Sequence, residues 1–299
     1  MVACIQVSKL RKRYGTTVAV GELSLEVESG EVFGLLVPNG AGKSTTLYML
    51  AGLVAPSSGK ITIFGKESRK NFLEIAARTG VLVEQPTFYN YLTARQNLLL
   101  STRLAAREVT VDRALDLVGL LEAGDKKVGK LSAGMRQRLG LAQAILTEPE
   151  LLLLDEPANA LDPEATQDVL RLLHRLAEET KVTVVLASHM LHEVELLCDR
   201  VAILNEGRLV ACEPVDALLS YNQSHVEVLL DAPEAAAKRL EEQNWVESVR
   251  VWPGKVEVKL LEPNAHQLTT FLVGAGYRIA GIIPRRRTLK DYFLKVINS

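Results

Sequence analysis

The chain has little of what marks a secreted, membrane-spanning or nucleic-acid-binding protein. Its 299 residues include three cysteines, Cys4, Cys198 and Cys212. An odd, irregularly spaced set rules out a disulfide framework and fits a reducing compartment. Cys198 lies in an apolar helical stretch and reads as a small core residue, not a reactive thiol. No uninterrupted apolar run reaches the ~18 residues that a membrane span needs. Met1 to Leu10 lacks the long apolar segment of a secretory signal. Neither sign of charge prevails. The 35 Lys and Arg against 36 Asp and Glu leave a net charge of −1, which is no footprint for nucleic acid. Internal repeats and low-complexity stretches are also missing. Apolar residues are plentiful at 47%, enough for a packed core and against disorder. The length allows one large domain or two smaller ones.

The most informative segment is Val37-Pro38-Asn39-Gly40-Ala41-Gly42-Lys43-Ser44-Thr45. A phosphate-binding loop reads Gly-x-x-x-x-Gly-Lys-Ser/Thr. Gly42, Lys43 and Ser44 fit, and Val37 stands where the first Gly belongs. The apolar run Val32-Phe33-Gly34-Leu35-Leu36 before it predicts a buried strand. The run Thr45 to Ala51 after it predicts a helix stopping at Gly52. A strand–loop–helix unit aims backbone N–H groups and the positive helix end at one spot, which suits phosphate. Gly40 and Gly42 let the backbone wrap closely. Lys43 can reach the β- and γ-phosphates, and the Ser44 hydroxyl can ligate Mg²⁺. Pro38 pushes position 37 toward an extended backbone, which Val tolerates. The loop is therefore expected to form, with the Val37 isopropyl group crowding its catalytic side and putting hydrolysis in question.

Further along, Leu151-Leu152-Leu153-Leu154 reads as a short buried strand ending in Asp155-Glu156. In open α/β sheets ligands bind beyond the carboxyl ends of strands. There one carboxylate can hold Mg²⁺ and its neighbour can take a proton from an attacking water. Ser132 is a natural N-cap for a helix through Met135–Leu146. Its hydroxyl and the Gly134 N–H make a second anion-attracting spot. One nucleotide does not need two such spots, but a head-to-tail dimer uses both.

Residues 1–36 alternate like short antiparallel strands, with Tyr14-Gly15 in a basic turn, and 57–65 reads as a turn and a strand. From about 87 to 148 the period is helical, with Leu98, Leu99, Leu115, Leu117, Val118, Leu120 and Leu121 as core candidates. A helix over 164–180 and a strand over Val182–Ala187 follow. Recurring buried strand then helix predicts a parallel α/β sheet. Tyr221-Asn222-Gln223-Ser224 is a polar break. Beyond it the order is strand 225–230, helix 233–243, strand 246–251, strand 255–260, helix 264–275 and strand 277–283. That βαββαβ order fits a small ferredoxin-like domain, closed by a helix near 288–297. Two domains are expected, 1–220 and 224–299. The run Arg285-Arg286-Arg287 reads as a solvated loop, with docking on acidic lipid headgroups or a partner as the alternative.

The chain resembles the ATP-binding subunit of an ATP-binding cassette (ABC) transporter, with motif order matching over residues 1 to about 220. Leu131-Ser132-Ala133-Gly134-Met135 matches the family signature LSGGQ, departing at Ala133 and Met135. The resemblance assigns Tyr14 to adenine stacking, Leu151–Asp155 to Walker B and Glu156 to the catalytic base. It assigns Ala160-Leu161-Asp162 to the D-loop and His189 to the γ-phosphate switch. At the Q-loop position stands Glu84, with Gln85 beside it. A Glu there, the text Pro86 to Thr93 and the Ser-x-Gly-Met signature are similar to the bacitracin and lantibiotic-peptide exporter branch.

The resemblance implies a P-loop NTPase fold of ABC type, a mixed-sheet core plus a helical subdomain. It implies ATP and Mg²⁺ as cofactors and hydrolysis carried by Glu156, His189 and Lys43. Nucleotide contacts fall to Tyr14, residues 37–45, Ser132 and Gly134, and metal contacts to Ser44, Glu84, Gln85 and Asp155. It also implies a homodimer or pseudo-dimer and a transmembrane permease partner. That places the chain in the cytoplasm, peripheral at the inner face of the membrane. Two alternatives stand beside this reading. One is a regulatory cassette with little turnover, supported by Val37 and Glu84. The other is a non-transport ABC ATPase, which typically carries paired cassettes or coiled-coil insertions.

Overall fold

The computed structural model describes residues 3–37, 42–83, 86–102, 110–159, 161–219, 225–262, 264–284 and 288–297. The chain divides into two compact units. One runs to Val215 and takes in the chain from Phe293, and the other is Asp216–Tyr292.

The first unit holds two sheets. In the smaller, Thr17–Glu28, Ala3–Tyr14, Ser58–Ile63 and Lys66–Glu67 lie side by side, all antiparallel. The strands Ala3–Tyr14 and Thr17–Glu28 are each 12 residues long, not the short strands expected. Pairing shifts register between Val7 and Leu10 and again between Leu10 and Lys12. Each shift resets the apolar alternation, so one long strand reads as several short ones.

The larger sheet has the order Arg208–Pro214, Arg200–Asn205, Val32–Leu36, Thr183–Ser188, Leu151–Asp155, Thr79–Leu82. Only the pair Arg208–Pro214 and Arg200–Asn205 is antiparallel. Leu151–Asp155 and Thr183–Ser188 are buried along their whole length, which is why they read as unbroken apolar runs. Register levels their carboxyl ends. Leu36 pairs with Ser188, Asp155 with Ala187 and Leu82 with Leu154. Four segments of the site therefore leave the sheet along one edge.

Helices Lys43–Leu50 and Ala133–Ile145 pack against these strands, and Pro163–Thr180 packs against Ala133–Ile145. Asp162 caps the last of them, accepting from the Ala165 N–H at 2.8 Å. A Cβ on Gly80 would collide with the Ala144 carbonyl oxygen, so glycine there lets the helix Ala133–Ile145 seat on the sheet. In the helical region Leu98, Leu115, Val118 and Leu120 are buried as expected and Leu117 is half-buried. Leu99 and Leu121 are corrections, at 47% and 40% exposure. Each follows a buried Leu: Leu99 comes one residue after Leu98 on a helix, about 100° round from it, and Leu121 opens a short 3-10 turn after Leu120.

The second unit has the order His225–Leu230, Pro233–Glu241, Val246–Trp252, Lys255–Leu260, Ala265–Gly274, Ile279–Pro284. Its strands lie in the order Val246–Trp252, Lys255–Leu260, His225–Leu230, Ile279–Pro284, all antiparallel. Val226, Val228, Leu230, Val256, Val258 and Leu260 form its core with Ala236, Leu240, Leu268 and Leu272 from the two helices. The helix Leu289–Ile297 follows. The break 221–224 and the run 285–287 lie outside the described residues. No helix among the described residues is long and apolar enough to cross a membrane.

Candidate functional site

Where the strand Val32–Leu36 ends, Val37 is 1% exposed and belongs to the core cluster around Leu35 and Leu47. Its isopropyl group is a core side chain, so the expected crowding of the catalytic side is corrected. Pro38, Asn39, Gly40 and Ala41 lie outside the described residues. Gly42 has φ +92°, and a Cβ there would collide with the carbonyl oxygen of Ala19. Only glycine fits this backbone. The helix Lys43–Leu50 starts immediately after, with no acidic residue in its first turn. Its leading N–H groups and dipole are thus left to an anion. Ser44 and Thr45 stand half-buried in that turn.

Lys43 forms an ion pair with Oε1 of Glu156. The Nδ1 of His189 lies 2.6 Å from the same oxygen. Glu156 sits at φ +48°, an unusual backbone for a glutamate, and its N–H donates to Ala187 O at 2.8 Å. That bond ties the residue after one strand to the strand that carries His189. Asp155 is 6% exposed. Its Oδ1 and the Glu156 Oε2 are buried with no hydrogen-bond partner among the described residues. Unmatched buried carboxyl oxygens are costly, and an ion or ordered water is their ordinary explanation. Burial pushes the Lys43 ammonium down in pKa, against the pull of Asp155 and Glu193. Among the described residues no group of three or more His, Cys, Asp or Glu forms a metal cage. Mg²⁺ in phosphate sites takes one or two carboxylates together with phosphates and waters, and Asp155 offers one such carboxylate. Glu84 and Gln85 lie outside the described residues.

A family model described as ABC transporter matches residues 20–159. The bacitracin transport ATP-binding protein BcrA of Bacillus licheniformis is 40% identical, over 100% of this chain and 99% of its own length. The BcrA of Enterococcus faecalis is 34% identical over 99% and 96%. Among solved structures, cbiO1 of Clostridium perfringens, part of the ABC transporter complex cbiONQ, superposes with a TM-score of 0.66. It is 28% identical over 73% of this chain and 90% of its own. A dimeric bacterial ABC transporter cassette gives a TM-score of 0.65 at 25% identity, over 71% and 98%. The chain belongs to the ABC transporter ATP-binding family. It is an ATPase that takes ATP with Mg²⁺.

In this cassette Ser132 and Gly134 lie on a different helix from Lys43. Ser132 caps the helix Ala133–Ile145 as expected, accepting from the Met135 N–H at 3.2 Å. Gly134 is buried in the first turn, where a Cβ would meet the Ala165 methyl group at 3.0 Å. No hydrogen bond or ion pair among the described residues joins Ser132 or Gly134 to Lys43, Glu156 or His189. Tyr14 is 49% exposed at the hairpin turn, with the Lys12 ammonium 4.8 Å from its ring centroid. One ring face thus meets a cation, an arrangement that aromatic rings favour. In the D-loop, Ala160 lies outside the described residues and Asp162 is the helix cap.

Sequence reading missed Ser188 and Glu193. The Glu193 carboxylate is 3% exposed and lies 2.6 Å from the Ser188 hydroxyl. Burial pushes it up in pKa, and the Ser188 bond, His189 and Lys43 pull it down. The available signal was position. Glu193 is the third residue of a helix whose N-cap, Met190, follows His189.

Proposed function

We propose that this cassette powers an exporter of the bacitracin-transport type through a membrane-spanning permease. It works as a head-to-tail pair, peripheral at the inner face of the membrane. One observation carries the reading of the site. Lys43 and His189 converge on the Glu156 carboxylate beside a buried, partly unmatched Asp155, all at the carboxyl edge of one sheet. Full-length similarity to transport subunits supports the exporter assignment over a non-transport ATPase.

In this reading Lys43 and the first turn of its helix hold the β- and γ-phosphates of ATP. Ser44 and Asp155, with Glu84 or Gln85, hold Mg²⁺, which neutralises phosphate charge when bound. Lys43 and His189 occupy Glu156 Oε1, and Oε2 is left to take the proton as water attacks the γ-phosphorus. ADP and inorganic phosphate are the products. His189 orients Glu156 and contacts the γ-phosphate. Tyr14 stacks on adenine, and the backbone of residues 37–42 cradles the phosphates. Ser132 and Gly134 close on the nucleotide of the second copy, in keeping with the absence of any bond among the described residues from them to this chain's own cluster.

We also infer that residues 224–299 form an accessory ferredoxin-like domain that serves dimer contact or regulation. Its βαββαβ order and antiparallel strand arrangement support this. Phosphate release with Mg-ATP from the parent chain and from Glu156→Gln tests the motor, and co-purification with a membrane protein tests the partner. Turnover that survives Glu156→Gln would overturn the assignment of the base. Deleting 224–299 without change in dimerisation, ATPase or transport would overturn the accessory role.

A further inference from the structure

The switch histidine sits in a short connection whose two ends are tied by one buried carboxylate. The strand Thr183–Ser188 ends on Ser188, which is fully buried. His189 and Met190 follow, and the helix Leu191–Leu197 begins. The Met190 N–H donates to the Ser188 hydroxyl oxygen at 3.0 Å. The Ser188 Oγ lies 2.6 Å from Glu193 Oε2. Glu193 N–H in turn donates to Met190 O at 3.1 Å. In an ordinary capping box a glutamate at the third helical position reaches back to the N-cap N–H. Here the Ser188 hydroxyl stands between them and relays the contact. His189 lies inside this closed ring of bonds, with its Nδ1 2.6 Å from Glu156 Oε1.

We propose that Glu193 is the positioning residue of the switch. Through Ser188 it sets the turn between strand and helix, and so the direction in which His189 meets Glu156. Glu193 touches neither substrate nor the reacting atoms in this role. Its burial is the supporting observation: a carboxylate 3% exposed is expensive unless its hydrogen bonds are needed. The charged neighbours facing it are Lys43, His189 and His192. The inference rests on the reading of His189 and Glu156 given above.

The test uses the full-length chain with Mg-ATP and compares Glu193→Ala, Glu193→Gln, Ser188→Ala and His189→Ala. Glu193→Ala is expected to lower kcat about tenfold or more, with KM and nucleotide affinity changed less than twofold. Glu193→Gln keeps an oxygen that accepts from Ser188 and should recover most of kcat. Adding Glu193→Ala to His189→Ala should cost nothing further, because the two act as one unit. The His189 ring nitrogen resonances, read by ¹⁵N NMR with labelled histidine, should move in Glu193→Ala and be kept in Glu193→Gln. Full activity in Glu193→Ala, or an undiminished loss in the His189→Ala background, overturns the proposal. Unmoved His189 resonances in Glu193→Ala overturn it as well. If His189→Ala itself leaves kcat intact, the reading of the active site falls instead, and the resonances alone decide whether Glu193 sets the ring. Should Glu193→Ala fail to fold, Ser188→Ala carries the same expectations.

Discussion

The cross-strand charges of the second unit and the strand-end charges of the first are arranged in opposite ways. In the second unit, charges spread over one sheet face and find partners across the strands. Lys255 pairs with Glu227 at 2.8 Å, Lys259 pairs with Glu247, and His225 stands 3.9 Å from Glu257. The first unit has surface pairs too, such as Arg78 with Glu150 at 2.6 Å, but at the end of its parallel strands ionisable groups crowd together, and two carboxyl oxygens there have no donor among the described residues. A paired ladder contributes modestly to sheet stability. An unmatched buried carboxylate costs stability and is worth keeping only where something binds or reacts. Charge content is similar in kind, and its arrangement separates a scaffold from a site.

The sharpest way to break that comparison is Glu156→Gln. Turnover is expected to fall about 10²–10⁴-fold, with ATP still bound, measured by phosphate release and nucleotide binding. Activity near the parent's would make Oε2 of Glu156 no more functional than the ladder. Gly42→Ala comes next. It combines φ +92° with a collision against Ala19 O. Loss of ATP binding and about 1–3 kcal/mol of stability are expected. Gly254 offers the control in the other unit, with φ +74° and nothing within 4 Å of an added Cβ. Gly254→Ala should cost about 1–2 kcal/mol of backbone strain and leave ATP binding alone. Equal effects on nucleotide affinity would sink the special status of the Gly42 loop.

Val37→Gly sharpens the comparison from within the site. The side chain is buried in the core, so its removal should cost about 2–3 kcal/mol of stability. Turnover should stay within about twofold of the parent, a margin of less than 0.5 kcal/mol in barrier. A large gain in turnover would restore the crowding argument and, with it, the low-turnover reading. Lys255→Ala should do least among these, below about 1 kcal/mol, with phosphate release unchanged.

Much of the site was legible in the sequence, because phosphate-loop and strand-end chemistry demand fixed residue types at fixed places. Gly42, Lys43, Asp155 and Glu156 were named from that demand, and His189 from the family resemblance. The direction of Val37 was not legible. It continues a strand buried on both faces, where no alternation tells inside from outside. Leu99 and Leu121 failed for a related reason, since apolar pairs hide which member faces inward. The long hairpin strands were cut short by their bulges. Ser188 and Glu193 escaped because a serine inside an apolar strand and a glutamate on a short helix look ordinary apart. Only the turn between them brings the two within 2.6 Å.

Glu31 is a third kind of buried charge, neither unmatched nor part of the cross-strand ladder. It is 8% exposed, accepts from the Glu28 N–H at 2.8 Å and meets Arg200 Nη1 at 3.0 and 3.2 Å. Burial raises its pKa, and the Glu28 amide and Arg200 only partly offset this. The sign follows from linkage. A carboxyl group whose folded value lies above its unfolded value holds its proton more tightly when folded. Its contribution to stability is full below the unfolded value and is lost as pH rises through the raised one. Glu31→Gln removes that group. The stability of the parent relative to this variant should therefore fall from about pH 4 to pH 7, a small drift set against the ordinary carboxylate range. Urea midpoints at both ends of that window read it. A drift of the opposite sign would mean that Arg200 outweighs burial, and Glu31 would then join the paired charges of the other unit.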